Sequence, residues 1–252
     1  MIKKIILAIP IAGKSKRFKD EGLKIHKAFL ELNKTFVLDN IINIFPNNIF
    51  KPIVICTKDQ RKNYEFYFEK LFKHYPDLIV QVIKEHDLGP TYSLRQLKVK
   101  DDIPILVHYC DFLVRMDTQN LIDGFQKGLI LAPFFKGFHP ASLGPTTFGY
   151  MKLDPNKYLI TLKEKSSFTN NRINEPCSTG IYGFPTFKIF KFLADKLLNN
   201  PKNWGQKEAY TSLCMNIAVE EGYKVYCNEV EKFICLGTPR DYKEYIYWKN
   251  MH

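Results

Sequence analysis

Residues 4–11 are apolar apart from Lys4, with no polar alternation, as expected of a strand buried on both faces. From residue 36 the period changes. Val37, Ile41, Ile44 and Phe45 share one face of a helix predicted over residues 36–45. A β-branched run at residues 52–56 reads as a strand. Residues 59–74 read as one helix, with Tyr64, Tyr67, Phe68, Leu71 and Phe72 on one side. The alternation continues with a strand at 78–83, a short helix at 92–97, a strand at 103–109, a helix at 118–126 and an extended stretch at 129–134. Asp117, just before the fourth helix, reads as its cap. Strand–helix alternation with short connections predicts a mostly parallel sheet covered on both faces.

The second half is less regular. Residues 149–153, 158–162 and 178–184 read as short strands, 186–198 and 207–220 as helices, 223–227 and 232–236 as strands, and 240–249 as a last helix. Neither an internal repeat nor a low-complexity linker interrupts the chain. The expectation is therefore one domain over residues 1–252, a Rossmann-like three-layer α/β/α fold. Its mixed central sheet is mostly parallel, with a smaller β region in the second half.

The short apolar run after Met1 is cut by Pro10 and by the basic residues from Lys14 to Lys19, which favours a first strand over a leader. No apolar run approaches the roughly 20 residues of a membrane span. A formal net charge of +11 raises the question of nucleic acid, but the 37 Lys and Arg are scattered and form no basic block. The expectation is a solvated surface with no nucleic-acid or membrane partner. Six cysteines show neither CxxC nor zinc spacing, which points to reduced thiols and a cytoplasmic setting. Oligomeric state stays open, with a homodimer among the possibilities.

Chemistry first appears after the leading strand, at Pro10-Ile11-Ala12-Gly13-Lys14-Ser15-Lys16-Arg17. A small-residue turn off a strand exposes consecutive N–H groups that suit an anion, and Lys14, Lys16 and Arg17 add charge. Gly13-Lys14-Ser15 has the letters of a Walker A ending, yet Ala8 stands where that motif needs glycine. Taken alone, the loop reads equally well as a plain basic turn.

Ala12-Gly13-x-x-x-Arg17 followed by Lys27-Ala28-x-Leu30 resembles the front end of the sugar-phosphate nucleotidyltransferases. Two positions depart: Ser15 where a second glycine is common, and His26 where proline usually precedes the lysine. Gly89-Pro90-Thr91 resembles the family's segment near the nucleotide base. Residues 105–112 resemble its strand ending in aspartate, here Asp111. A carboxylate at the end of a buried parallel strand suits Mg²⁺ bridging phosphates, and a turn or cap residue is the other reading of Asp111.

Phe148-Gly149-Tyr150, Glu164-Lys165 and Ser178-Thr179-Gly180 follow in the family's order. The resemblance implies that Glu164 meets acceptor hydroxyls and Lys165 the acceptor phosphate, beside Gly149, Thr179, Gly180 and His139. A charged strand end (Glu164, Lys165) and a structural histidine (His139) are the plainer readings. Leu236-Gly237-Thr238-Pro239-Arg240-Asp241-Tyr242 is similar to the family's closing motif, but Cys235 replaces a second metal-binding Asp, and a thiol is a poor magnesium ligand. Water and substrate could complete the shell, Glu231 could assist, or activity could be reduced.

The resemblance implies a Mg²⁺-dependent transferase moving a nucleotidyl group from a triphosphate to a sugar 1-phosphate, with release of pyrophosphate. Arg17, Lys27 and Asp111 would be catalytic, and Ala12, Gly13, Lys14, Ser15, Gly89 and Thr91 would bind nucleotide. The base stays open among cytidine, guanosine and others, with CTP preferred as donor. Gly137-Phe138-His139-Pro140 and Glu164-Lys165-x-x-Phe168-Thr169 resemble the capsule and surface-polysaccharide branch. Some of its wider relatives use non-sugar acceptors such as a phosphorylated amino acid. Three rivals remain: a nucleotide-binding protein with little catalysis, a basic nucleic-acid module, and a glycosyltransferase, which would normally show Asp-x-Asp where this chain has Asp111-Phe112-Leu113.

Overall fold

Strand β1 (Ile5–Pro10) faces two cores at once: Ile5, Leu7 and Ile9 point into one apolar cluster, Ile6 and Ala8 into another. Its unbroken apolar run follows from that placement. The structure is a computed structural model and describes residues 4–137, 146, 148–204 and 208–249.

The chain leaves β1 through a loop into α1 (Lys16–Asp20), then a single 3₁₀ turn at Lys27–Phe29. A small hairpin of β2 (Glu31–Leu32) and β3 (Thr35–Phe36) leads into α2 (Val37–Ile44). Strand β4 (Phe50–Thr57) follows, then α3 (Lys58–Asn63), α4 (Glu65–His74) and β5 (Ile79–Ile83). The helix predicted over residues 59–74 is therefore two. Tyr64 leaves helical geometry (φ −114°, ψ 24°) where its ring packs against Phe29 at 4.8 Å and His26 at 6.2 Å. Next come α5 (Pro90–Arg95), β6 (Ile105–His108), β7 (Phe112–Arg115) and α6 (Thr118–Gln126), which Asp117 caps by accepting the Gln119 N–H.

Strands β8 (Ile130–Leu131) and β9 (Phe134–Phe135) divide the predicted extended stretch between two sheets. Strands β10 (Gly149–Leu153), β11 (Leu159–Glu164), β12 (Cys177–Ser178) and β13 (Ile181–Phe184) precede α7 (Phe187–Leu198) and α8 (Leu213–Glu220). The chain closes with β14 (Val225–Tyr226), β15 (Lys232–Cys235) and α9 (Pro239–Lys249).

The central sheet runs β14-β8-β13-β6-β1-β4-β5. β1 pairs in parallel with both β4 and β6, β4 with β5 and β14 with β8; only β13 is antiparallel. Helices α2, α4 and α6 contribute to the core on one face, and α5, α7 and α8 to that on the other. This is the expected three-layer, mostly parallel fold. The chain goes from β1 to β4 on one side and later returns to β6 on the other, so the order reverses at β1. The carboxyl ends of β1 and β6 then open a crevice, the usual ligand position in such sheets.

The second β region is the four-stranded sheet β11-β10-β12-β9. The stretch predicted as one strand over 178–184 crosses between sheets: Cys177 and Ser178 pair in the small one, and Ile181 onward pairs in the large one. Gly180 makes the crossing at φ +94°, where a Cβ would lie 2.9 Å from the Phe112 ring. The helix predicted from residue 207 begins only at Leu213: Ala209 is tied to Leu88 and Thr91, and Thr211 and Ser212 form the turn that leads into α8. No helix among the described residues is long and apolar enough to cross a membrane.

Candidate active site

A cleft of about 600 Å³ opens at the ends of β1 and β6. Residues 10–18, Lys27, Gly89, Asp111, Tyr210 and Gly237 line it. Among the described residues, none of the backbone N–H groups of residues 12–17 donates to a protein acceptor. Six consecutive unpaired donors at the mouth of a helix form an anion cradle. Ser15 makes the turn in the left-handed region (φ 48°), which explains how this position works without glycine. Arg17 and Lys16 are exposed on α1 at the cleft. Lys14 reaches across to Asp87 (2.8 Å) and Glu85 (3.5 Å), and those acids raise its pKa.

The loop is anchored by side chains on two other segments. The Gly13 carbonyl accepts from His26 Nε2 (2.9 Å) and Gln60 Nε2 (3.0 Å), and the Ile11 carbonyl from Gln60 (2.7 Å). Gln60 is itself fixed by a capping box with Thr57 at the start of α3. The sequence Thr57-x-x-Gln60 carries the capping-box spacing, but the long-range bonds of Gln60 to the loop leave no trace in local pattern.

Lys27 and Asp111 meet at 2.7 Å on the cleft floor. Burial alone would lower the Lys27 ammonium, but the Asp111 carboxylate outweighs it and holds the ammonium above the usual lysine range. Gly237 lies beside them; a Cβ there would stand 3.5 Å from both Asp111 Oδ2 and Cys235 Sγ. Burial, then the Asp241 and Asp111 carboxylates, push the Cys235 thiol far up, so it is neutral. Asp241 is occupied with the Thr238 N–H and hydroxyl. Glu231 does not join Asp111. It pairs with Arg115 at 2.9 Å, at the far end of the β7–β15 ladder from Cys235.

Residues 208–212 form the opposite wall. The Ala209 N–H donates to Leu88 O and its carbonyl accepts from the Thr91 N–H. Gly89 (φ +93°) is required there, since a Cβ would lie 2.7 Å from Ala209 N. Thr91 is fully buried behind this wall with its hydroxyl 3.3 Å from that of Thr211. The Thr211 N–H donates to the Tyr109 hydroxyl. Lys165 Nζ donates to the Tyr210 hydroxyl (2.7 Å) and sits 4.4 Å from its ring centroid. Ser212 donates to Glu164 (2.5 Å). Burial raises the Glu164 carboxyl, against the Ser212 bond and Lys165.

Among the candidate residues, the structure therefore gathers Ala12, Gly13, Lys14, Ser15, Arg17, Lys27, Gly89 and Asp111 in one cleft. Glu164 and Lys165 reach that cleft's wall through Ser212 and Tyr210. Gly149 makes room for Glu164, whose Oε2 would be 3.2 Å from a Cβ. Thr179 is buried, donating to Pro133 O, and Gly180 serves the crossing between sheets. His139 lies outside the described residues. The anchoring role of His26 and the contacts of Tyr109, Tyr210 and Ser212 were not foreseen. His26 carried a signal as a departure from the proline usual there; the other three carried none.

Unpaired N–H groups at a sheet's switch point, flanked by a lysine–aspartate pair, are a geometry whose chemistry suits a phosphorylated ligand. The chain belongs to the nucleotidyl transferase family, whose model matches residues 3–249. No curated protein matches the chain significantly. Among solved structures it is similar to a nucleoside-diphosphate-sugar pyrophosphorylase from Vibrio cholerae RC9 (18% identity, TM-score 0.75, covering 96% of this chain and 100% of that one). It is similar also to a UDP-glucose pyrophosphorylase complexed with UDP-glucose (13%, 0.76, 98% and 100%) and to the inositol-1-phosphate CTP transferase from T. maritima (14%, 0.68, 100% and 98%).

Proposed function

We propose that the chain transfers a nucleoside monophosphate from a nucleoside triphosphate to a sugar 1-phosphate or similar small phosphorylated acceptor, releasing pyrophosphate. The observation that carries this reading is the cradle of residues 12–17 sharing one cleft with Arg17, Lys27 and Asp111. The triphosphate lies on the cradle, and the acceptor phosphate approaches from the side of Lys165 and Tyr210. Glu164, held by Ser212, meets acceptor hydroxyls. Cytidine triphosphate is the proposed donor; a CTP transferase and UDP-glucose pyrophosphorylases both share the fold, so the test below includes both nucleotides.

A phosphate monoester is largely dianionic at neutral pH, its second pKa being about 6, so the acceptor needs no general base. The task is to bring two anions together in line. Lys27, charged throughout by virtue of Asp111, and Arg17 neutralise the triphosphate. Mg²⁺ fits the donor set in a limited way: Asp111 would offer one hard carboxylate and the neutral Cys235 thiol nothing useful, so substrate and water would have to supply the other ligands. When bound, it supplies charge neutralisation and polarises the α-phosphate.

The test is pyrophosphate release from CTP, UTP, GTP, dTTP and ATP, with and without Mg²⁺, against a panel of sugar 1-phosphates and non-sugar phosphates. Mg²⁺-dependent release with at least one pair supports the proposal. Triphosphate binding without release under every pairing overturns it in favour of a binding protein.

A further inference from the structure

We infer that His26, seconded by Gln60, is a positioning residue of the triphosphate loop: from the cleft lining it engages the Gly13 carbonyl and ties the loop to Lys27. This rests on the nucleotidyltransferase reading above and goes beyond it, since no phosphate contact is assigned to His26.

His26 is 2% exposed, and both ring nitrogens are engaged inward. Nδ1 accepts the Ala28 N–H at 3.2 Å, which caps the 3₁₀ turn carrying Lys27. Nδ1 is thus the acceptor, so the ring proton lies on Nε2 and is donated to Gly13 O at 2.9 Å. Phe29 and Tyr64 meet the ring at 6.3 and 6.2 Å and fix its plane. A second tie runs beside it, from the Lys27 N–H to Ser15 Oγ at 3.4 Å. Residues 26–27 are in this way zipped along residues 13–15.

The electrostatic sense is direct. A carbonyl oxygen aimed into an anion cradle would repel phosphate, whereas N–H groups attract it. Two donors from two separate elements, His26 and Gln60, claim the Gly13 carbonyl and leave the neighbouring N–H groups unpaired. Burial, then the Lys27 charge, drives the imidazole down to about 3, so it remains neutral and contributes geometry rather than charge. Proline, usual at this position in the family, could make neither bond.

Two substitutions separate the parts. His26→Asn keeps an acceptor near the Nδ1 position for the Ala28 N–H and loses the reach to Gly13. His26→Gln places an amide donor near the Nε2 position. The readout is the dissociation constant of inorganic pyrophosphate by calorimetry. His26→Asn should weaken it about tenfold, the equivalent of one good hydrogen bond, and His26→Gln should restore most of the loss. In turnover, KM for the triphosphate should rise by a like factor while KM for the acceptor stays. Wild-type affinity in His26→Asn overturns the inference, as does a His26→Gln variant as weak as His26→Asn. Should His26→Asn fail to fold, the more exposed Gln60→Met replaces it, with weaker pyrophosphate binding expected and unchanged affinity overturning the inference. A wild-type protein that binds pyrophosphate but transfers no nucleotide defeats the activity proposed above, while the pyrophosphate comparison still decides the role of His26.

Discussion

The ammonium of Lys27 lies 2.7 Å from the Asp111 carboxylate, joining the segment behind the phosphate loop to the end of β6. In the proposed reaction, Lys27 supplies charge to the phosphates and Asp111 a hard ligand. Lys27→Ala and Asp111→Ala should each lower turnover by about 10²–10³, in line with other preorganised charge-stabilising groups. The double variant should lose less than the product of the two, because each single change leaves its partner unpaired. Steady-state pyrophosphate release on all three variants checks this.

Lys14 is held by Asp87 and Glu85 across the cleft. A triphosphate must compete with those acids. Asp87→Asn should therefore lower KM for the triphosphate by a few fold at low salt, with the difference shrinking as salt rises. Kinetics at two ionic strengths give the answer, and a raised KM would count against the competition.

Gly89 cannot carry a side chain. Its φ of +93° and the Ala209 nitrogen 2.7 Å from a Cβ both oppose one. Gly89→Ala should cost about 1–3 kcal/mol of stability from backbone strain alone. A melting curve that matched wild type would refute this.

Two buried histidines set an acid limit. Burial lowers His26 to about 3 and His108 to about 4. The unfolded chain therefore takes up these protons first, near 6.5. Stability from both is complete above that value and is lost as pH falls toward about 4 and then 3, amounting by pH 5 to about 2 kcal/mol for each. Glu164, raised by burial, works in the opposite direction, one group against two. Thermal melts at pH 7.5 and pH 5 should show the loss, and His26→Gln should lessen it.

Cys235 stands beside Gly237 and Asp111 with a neutral thiol. Cys235→Asp should add a hard ligand. The Mg²⁺ concentration for half-maximal rate should then fall, while activity with saturating Mg²⁺ changes little. A magnesium titration of both proteins is sufficient.

Much of this architecture was legible because burial leaves a periodic trace. The run at β1, the amphipathic α2 and the Thr186 cap of α7, whose hydroxyl accepts the Ile189 N–H, follow from local pattern and cap chemistry. Asp111 was legible for a similar reason: it lies just past the buried strand β6, and such ends face the crevice. What local pattern misses is long-range pairing. Residues 208–212 look like the first turn of a helix, yet Leu88 and Thr91 bond Ala209, Tyr109 and Glu164 bond Thr211 and Ser212, and the helix starts only at Leu213. The run at 178–184 has strand composition throughout, so only Gly180 hints that it changes sheets. Thr91 and Thr179 matched family motifs but face inward, since adjacency in sequence to a site does not fix where a side chain points.

The wall formed by residues 208–212 touches both halves of the cleft. Ala209 bonds to Leu88 and Thr91 on the nucleotide side, while Tyr210 and Ser212 hold Lys165 and Glu164 on the other. In the proposed reaction, a donor that moved the backbone near Gly89 would move the groups proposed to receive the acceptor. Occupancy of one half-site would then bias the other, and thermodynamic reciprocity would require the same factor in both directions. The two substrates of this enzyme should bind cooperatively, through one five-residue strap.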